Sequence, residues 1–353
     1  MSRTTTTLPK LPDTDPTAAE RKEDHIELAF RSQVLRGELD GRFDYEPLLA
    51  AHPAAGSLPE TSFGGKTLRA PLWVSSMTGG TEKAYTINHN LARACREFGL
   101  GMGLGSCRPL LYGHERLRDF DIRPLIGEDA PLYANLGVAQ LQELLDDGRD
   151  GEIAELCSAL RADGLIIHVN PLQEALQPEG DRFTASPLET IRATLAAAPG
   201  VPIIVKEVGQ GFGPRSLKAL LDLPLLAIDT AAGGGTNFSK LELFRGDDLR
   251  KEAYAPLVSV GHGAEEMVRT LNGLLDGTQK TQHLIVSGGV RNYLDGYYLT
   301  ELSDLPAIYG QASAFLRYAR EDYATLQRYV TLQIKGLELA RAFLVPRTEV
   351  ASR

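Results

Sequence analysis

From Leu72 onward, short apolar runs alternate with longer stretches in which apolar residues recur every three to four positions, the pattern of repeated β-α units. The runs are LWVSS (72–76), LGMGLG (100–105), LYANLG (132–137), GLIIHV (164–169), PIIVKEV (202–208), LLAIDT (225–230), HLIVSGG (283–289) and AIYGQA (307–312). The periodic stretches predict helices over 82–98, 139–145, 153–161, 188–197, 214–221 and 263–275, and a last one over 314–343. Continuous apolar strands separated by helices are the signature of a parallel sheet covered on its outer face. A further apolar run, APLVSVG (255–261), falls in the long connection between Thr230 and His283 and is read as part of an excursion over the sheet. An open doubly wound sheet would place a glycine fingerprint after its first strand and an acidic residue about twenty positions later. Neither occurs in that form, so the pattern favours an α/β chain folded as a (β/α)₈ TIM barrel and leaves the open doubly wound sheet as the alternative.

The flanks differ. Residues 1–20, rich in Thr and Pro, offer almost nothing to bury and are expected to form a disordered lead-in, with 21–353 as one barrel domain carrying extensions at both ends. At 353 residues, with 43% hydrophobic and 24% charged side chains, the chain can bury one large core. A formal charge of −9 excludes broad binding to nucleic acid or to an anionic membrane, both of which need a cationic face. Cys95, Cys107 and Cys157 are scattered and odd in number, which points away from a disulfide framework and toward a reducing cytoplasm. The N-terminus has no apolar segment of the secretory kind.

Candidate chemistry clusters where the strands stop. MTGG (77–80) follows the first strand, SCR (106–108) the second, and Asn135 ends the third. HVNPLQE (168–174) closes the fourth, Lys206 and Glu207 the fifth, and DTAAGGGT (229–236), SGGVR (287–291) and QAS (311–313) the last three. In a barrel these ends converge on the face where active sites occur. GGGT and SGGV fall where barrels bind phosphate through backbone N–H groups, although glycine turns also close such loops for backbone reasons alone. Lys206 is open to three readings: a structural ion pair, a functional cation, or an imine-forming lysine. His168, Asn170, Gln173 and Glu174 put four polar groups in one short span, more than a core requires. Glu174 alone is a poor metal site, yet Mg²⁺ often takes one carboxylate and completes its shell with substrate phosphate and water.

These segments, in this order, resemble the type 2 isopentenyl-diphosphate isomerases, FMN-dependent (β/α)₈ enzymes that interconvert isopentenyl and dimethylallyl diphosphate. RKEDHI (21–26), MTGG, GSCR, ANLG, HVNPLQEALQPEGDR, VKEVGQG, GGGT and SGGVRN carry the resemblance, which runs from about Arg21 to Leu316. It implies that Arg21, Lys22, Ser106, Cys107 and Arg108 bind the substrate diphosphate, that Gln173 lies at the isoprenoid double bond with His168 and Asn170 beside it, and that Glu174 holds Mg²⁺. It further implies that Ser76, Met77, Thr78, Gly79, Ser106, Asn135 and Lys206 surround the flavin ring and ribityl chain, and that Thr236, Gly288, Gly289, Val290, Ala312 and Ser313 surround its phosphate. NADPH is the implied reductant, and a tetramer or octamer the implied assembly. The chain departs from the family pattern at Phe238, a common tryptophan position, in SVGHGAEEM (259–267), and at Ser313 and Ala314, which stand in place of an Arg-Pro pair. Competing readings are a hydroxy-acid oxidoreductase on a related barrel, a lyase using Lys206 as an imine, and a non-catalytic ligand-binding barrel.

Overall fold

The computed structural model describes residues 17–113 and 115–348, in two units, one ending at Arg42 and one from Phe43 onward. The expected lead-in therefore lies mostly outside the described residues. Its last part does not: helix α1 (Ala18–Leu28) takes in Ala18, Ala19 and Glu20, and it buries no side chain.

The second unit is built on eight parallel strands: β1 (Leu72–Val74), β2 (Gly101–Gly103), β3 (Leu132–Gly137), β4 (Gly164–Val169), β5 (Ile203–Glu207), β6 (Ala227–Asp229), β7 (His283–Val286) and β8 (Ala307–Gln311). They pair in chain order, and β8 returns to β1 through Gly310 opposite Trp73, so the sheet closes into a barrel. All eight expected strands are present; 132–137 and 164–169 keep their full length, and the others are shortened by one to three residues at their ends.

Helices α2 (Glu82–Phe98), α3 (Val138–Asp146), α4 (Gly151–Ala159), α5 (Pro171–Leu176), α6 (Pro187–Ala197) and α7 (Pro214–Leu221) follow successive strands. Local chemistry sets their ends. Thr81 accepts a hydrogen bond from Ala84 N at the start of α2, and Gly99, at φ 66°, ends it in the left-handed region that glycine enters without cost. Between them α2 lays Ile87, Leu91, Ala94 and Cys95 on the sheet.

The sequence pattern misleads in two places. The excursion after β6 folds into helices α8 (Phe238–Arg245) and α9 (Asp248–Val258), and α9 absorbs most of the apolar run 255–261. Asp247 caps this helix by accepting from Arg250 N, a polar signal upstream of the run. After α10 (Ala264–Leu274) and α11 (Tyr293–Leu302), the expected last helix is two, α12 (Ser313–Ala319) and α13 (Tyr323–Phe343). Asp322 accepts from Thr325 N and starts the second one, which breaks the apolar period.

One end of the barrel is filled by a hairpin, Thr61–Phe63 paired with Lys66–Leu68. Phe63 and Leu68 are fully buried against Trp73, Tyr133, Ile166, Ile204, Ile285 and Ile308. The Phe63 and Trp73 rings lie 5.3 Å apart. At the hairpin turn a side chain on Gly64 would meet the Tyr133 hydroxyl at 2.5 Å, so only glycine allows this close seat.

Candidate active site

Side chains alternate across a strand, so each strand sends every second residue into the barrel. Near the hairpin these inward residues are apolar: Trp73, Tyr133, Ile166, Ile204, Ala227 and Ile285. Two residues further along each strand the same inward line carries Ser75, Asn135, His168, Lys206, Asp229 and Ser287. Except for the half-buried His168, all of these are buried. The barrel thus has an apolar floor beneath a continuous polar layer. Space above that layer is kept by glycine, since a Cβ on Gly310 would come within 2.5 Å of Ser75 Oγ and 2.9 Å of Ser287 Cβ.

Hydrogen bonds order this layer. Asn135 Nδ2 donates to Leu104 O at 2.9 Å, which leaves Asn135 Oδ1 to accept from His168 Nδ1 at 2.8 Å. Burial, with the Lys206 ammonium nearby, pushes His168 down to about 3. The ring is therefore neutral near pH 7, its proton on Nδ1 and a lone pair on Nε2. Lys206 Nζ donates to Glu207 O at 2.6 Å, and Lys206 is the register partner of the fully buried Asp229 on the next strand. Asp229 accepts from Ser287 Oγ and from Ala231 N, and burial raises its carboxyl above the usual range against the pull of Lys206. The Asp229 carboxyl and the Lys206 ammonium interact electrostatically across neighbouring strands, although among the described residues they form no ion pair. Outside the barrel wall, Glu207 Oε2 accepts from Gly209, Gln210 and Gly211 N at 2.7, 2.6 and 2.8 Å and folds the loop after β5.

Beyond β4, the span from Asn170 to Arg182 forms a second polar cluster. Asn170 Nδ2 donates to Glu174 Oε1 at 2.8 Å, and Asp181 N donates to Glu174 Oε2 at 2.9 Å. Asp181 in turn pairs with Arg108 at 3.1 Å and accepts from Gln140 Nε2 at 3.0 Å. Gln173 Nε2 reaches Glu242 Oε1 on α8 at 3.3 Å, and Glu242 pairs with Arg245 at 2.6 Å. Four expected residues, Arg108, Asn170, Gln173 and Glu174, are thus joined in one network with four that sequence reasoning missed: Gln140, Asp181, Glu242 and Arg245. The signal for Asp181 was present in the GDR of the long fourth-strand segment. Nothing local marks Gln140 or Glu242. Asn170 Oδ1 is buried beside Glu174 without a hydrogen-bond partner, and a carboxylate next to such an orphaned amide oxygen is a donor set that suits a hard divalent cation. Among the described residues no group of three or more acidic, His or Cys side chains is arranged for a metal, so substrate and water would supply the remaining ligands.

A cavity of about 330 Å³ opens beside the polar layer, lined by Ser75, Ser76, Lys206, Thr236, Phe238 and the segments 234–235, 287–291 and 310–314. Gly288 and Gly289 have φ of 82° and 73°, and a Cβ on Gly288 would lie 2.1 Å from Ala232 N. These are conformations and approaches open to glycine alone. The hydroxyls of Ser75 and Ser76 are buried without partners. A glycine-walled concavity with unspent hydroxyls, a lysine and two arginines, Arg291 and Arg317, fits a polar, phosphate-bearing ligand. Thr236, Gly288, Gly289, Val290, Ala312 and Ser313 all line it.

Other expected residues are placed differently. Arg21 and Lys22 are exposed on α1, in the first unit. Met77 packs on the core, and Gly79 allows Phe120 to approach, a Cβ there meeting Phe120 Cε1 at 2.2 Å. The MTGG turn rests on Gly105, where a Cβ would lie 2.3 Å from Thr78 O. Ser106 Oγ accepts from Arg108 N at 3.4 Å. The Cys107 side chain is fully buried, with Sγ turned to Gly105 O, so only its backbone could meet a substrate. It packs as a small core residue between Ser106 and Arg108.

Isopentenyl-diphosphate delta-isomerase of Rickettsia africae is 34% identical over 341 residues, 93% of this chain and 94% of that protein. The same-named protein of Rickettsia felis is 33% identical over 352 residues, 96% of each. No family model matches the chain. Among solved structures, a flavocytochrome b2 variant with benzoylformate superposes with TM-score 0.58 at 14% identity, covering 88% of this chain and 79% of that one. A mandelate oxidase variant with a monooxide FMN adduct gives 0.53 at 12% identity, covering 85% and 83%. These two are likenesses of fold.

Proposed function

Because the chain belongs to the isopentenyl-diphosphate delta-isomerases, we propose that it interconverts isopentenyl and dimethylallyl diphosphate with FMN and Mg²⁺ bound at the barrel mouth. The reaction adds a proton to the terminal alkene carbon and removes one from C2, so the C=C bond moves without net redox change. The observation that carries the reading is the division of the mouth into two polar sites, the glycine-walled cavity and the Glu174 network, over one apolar floor. FMN, reduced by NADPH, would supply an electron-rich ring against an alkene that is a weak base.

The residues divide the work. Thr236, Gly288, Gly289, Val290, Ala312 and Ser313 hold the flavin phosphate, and Ser76, Met77, Thr78, Gly79, Ser106, Asn135 and Lys206 hold its ring and ribityl chain. Glu174 anchors Mg²⁺ and, with Arg108 released from Asp181, draws the diphosphate to the mouth. The resemblance assigns Arg21 and Lys22 to the diphosphate as well, so Lys22→Ala should raise KM for isopentenyl diphosphate while leaving kcat nearly unchanged. Gln173 orients the double bond, Asn170 holds Gln173 and Glu174 in place, and neutral His168 keeps an unprotonated nitrogen at the mouth. The assembly is a cytoplasmic homo-oligomer, in line with three free, buried cysteines.

The test uses the purified full chain. It should be yellow, bleach with NADPH under anaerobic conditions, and only then convert isopentenyl diphosphate. A colourless preparation that stays inactive after adding FMN, Mg²⁺ and NADPH overturns the reading. Turnover of a 2-hydroxy acid with no isomerisation would favour the oxidoreductase alternative.

A further inference from the structure

The lining of the 330 Å³ cavity holds three cations, Lys206, Arg291 and Arg317, and no carboxylate, in a chain whose formal charge is −9. Two of the three have electrostatic partners already. Lys206 faces Asp229, and Arg291 lies 3.8 Å from the Asp295 carboxylate. Arg317 forms no ion pair among the described residues, and its recorded contact is with the Tyr318 ring at 5.6 Å. It stands one turn beyond Ser313 on α12, and side chains on a helix lean back toward its N-terminus. That lean is toward the Ala312–Ser313 end of the helix, and Arg317 lines the cavity together with Ala312, Ser313, Gly288 and Gly289.

We infer that Arg317 is a phosphate ligand of this site: its planar fork binds the terminal phosphate monoester of FMN and makes the cavity select a phosphorylated flavin over riboflavin. The inference rests on the FMN reading above. A charged cavity without an acidic residue pays little to take up a dianion, and Arg291 lines it from the loop after β7 and Arg317 from α12. Guanidinium matches two phosphate oxygens at once, which a lysine cannot do in the same geometry. The strand-end segment Gln311-Ala312-Ser313-Ala314 brings no charge of its own, so the cation on that side of the cavity is Arg317.

The experiment titrates flavin-free full-length protein with FMN and with riboflavin, following flavin fluorescence, for the wild type, Arg317→Gln, Arg317→Lys and the surface control Arg320→Gln. The wild type should bind FMN more tightly than riboflavin. Arg317→Gln should weaken FMN by about ten- to a hundred-fold, the range for a hydrogen bond to a charged group, and leave riboflavin unchanged. Arg317→Lys should fall between, and Arg320→Gln should match the wild type. Equal weakening of both flavins, or none of either, overturns the role of Arg317 while FMN binding by the wild type still supports the function. If the wild type binds neither flavin, the FMN reading itself falls and the inference with it. Unfolding temperatures of the flavin-free proteins separate lost affinity from lost fold.

Discussion

His168 and Asn135 meet across neighbouring strands, Nδ1 to Oδ1 at 2.8 Å, and the Asn135 amide is itself oriented by Leu104 O. This chain of two hydrogen bonds sets which nitrogen of the ring carries its proton. How the fold responds to acid is set instead by the burial of the ring, with the Lys206 ammonium nearby.

The folded-state value of His168 lies near 3, below the 6.5 of a free imidazole. The folded chain therefore binds a proton less readily than the unfolded one. Its contribution to stability is complete above pH 6.5 and declines as pH falls from there toward about 3, by at most roughly 1.4 kcal/mol per unit. Urea midpoints measured between pH 7 and pH 4 should fall more steeply for the wild type than for His168→Gln. Parallel curves would show that the ring is not held neutral by its surroundings.

Lys206 and Asp229 occupy one layer of the barrel interior, both buried. Removing one member of a buried pair leaves a charge without compensation, at about 3 kcal/mol or more. Lys206→Met should lower the unfolding free energy by that order, and adding Asp229→Asn should restore more than half of it. A double variant no more stable than the single one would mean that the two charges are not coupled.

Glu174 contributes both carboxylate oxygens to fixed partners and is the acidic group beside the orphaned Asn170 Oδ1. Glu174→Gln keeps the shape and removes the charge a hard cation needs. The expected result is loss of Mg²⁺-dependent turnover by two orders of magnitude or more, with flavin absorbance retained at its wild-type level. Retained Mg²⁺-dependent activity would remove the metal role from this residue.

At Gly288 a methyl group would press into the Ala232 backbone at 2.1 Å, on a φ of 82° that side chains rarely adopt. Gly288→Ala should cost about 1–3 kcal/mol through strain and displaced backbone. Calorimetry would give the loss, and the purified variant should carry markedly less flavin. Wild-type flavin content would show that the turn does not shape the cavity.

Much of this architecture was legible in residues such as Ile166 and His168, where an apolar run ends two positions before a polar side chain on the same face. Period two and the parallel pattern suffice to predict both the strand and the inward polar layer. The excursion 255–261 misled because local hydrophobicity does not separate a short strand from the end of a helix, and the deciding signal, the Asp247 cap, lies upstream. That the Cys107 side chain turns into the core while Arg108 is exposed was not legible, because which neighbour in a loop faces inward is set by the surrounding packing. Asp181 lies only seven residues from Glu174 within the same segment, whereas Glu242 reaches Gln173 from 69 residues away by tertiary folding alone, so no spacing along the chain announces that contact.

The hairpin of Phe63 and Leu68 plugs one end of the barrel. If the proposed flavin lies beneath the substrate, both would have to enter from the opposite end, so the flavin would load first and leave last.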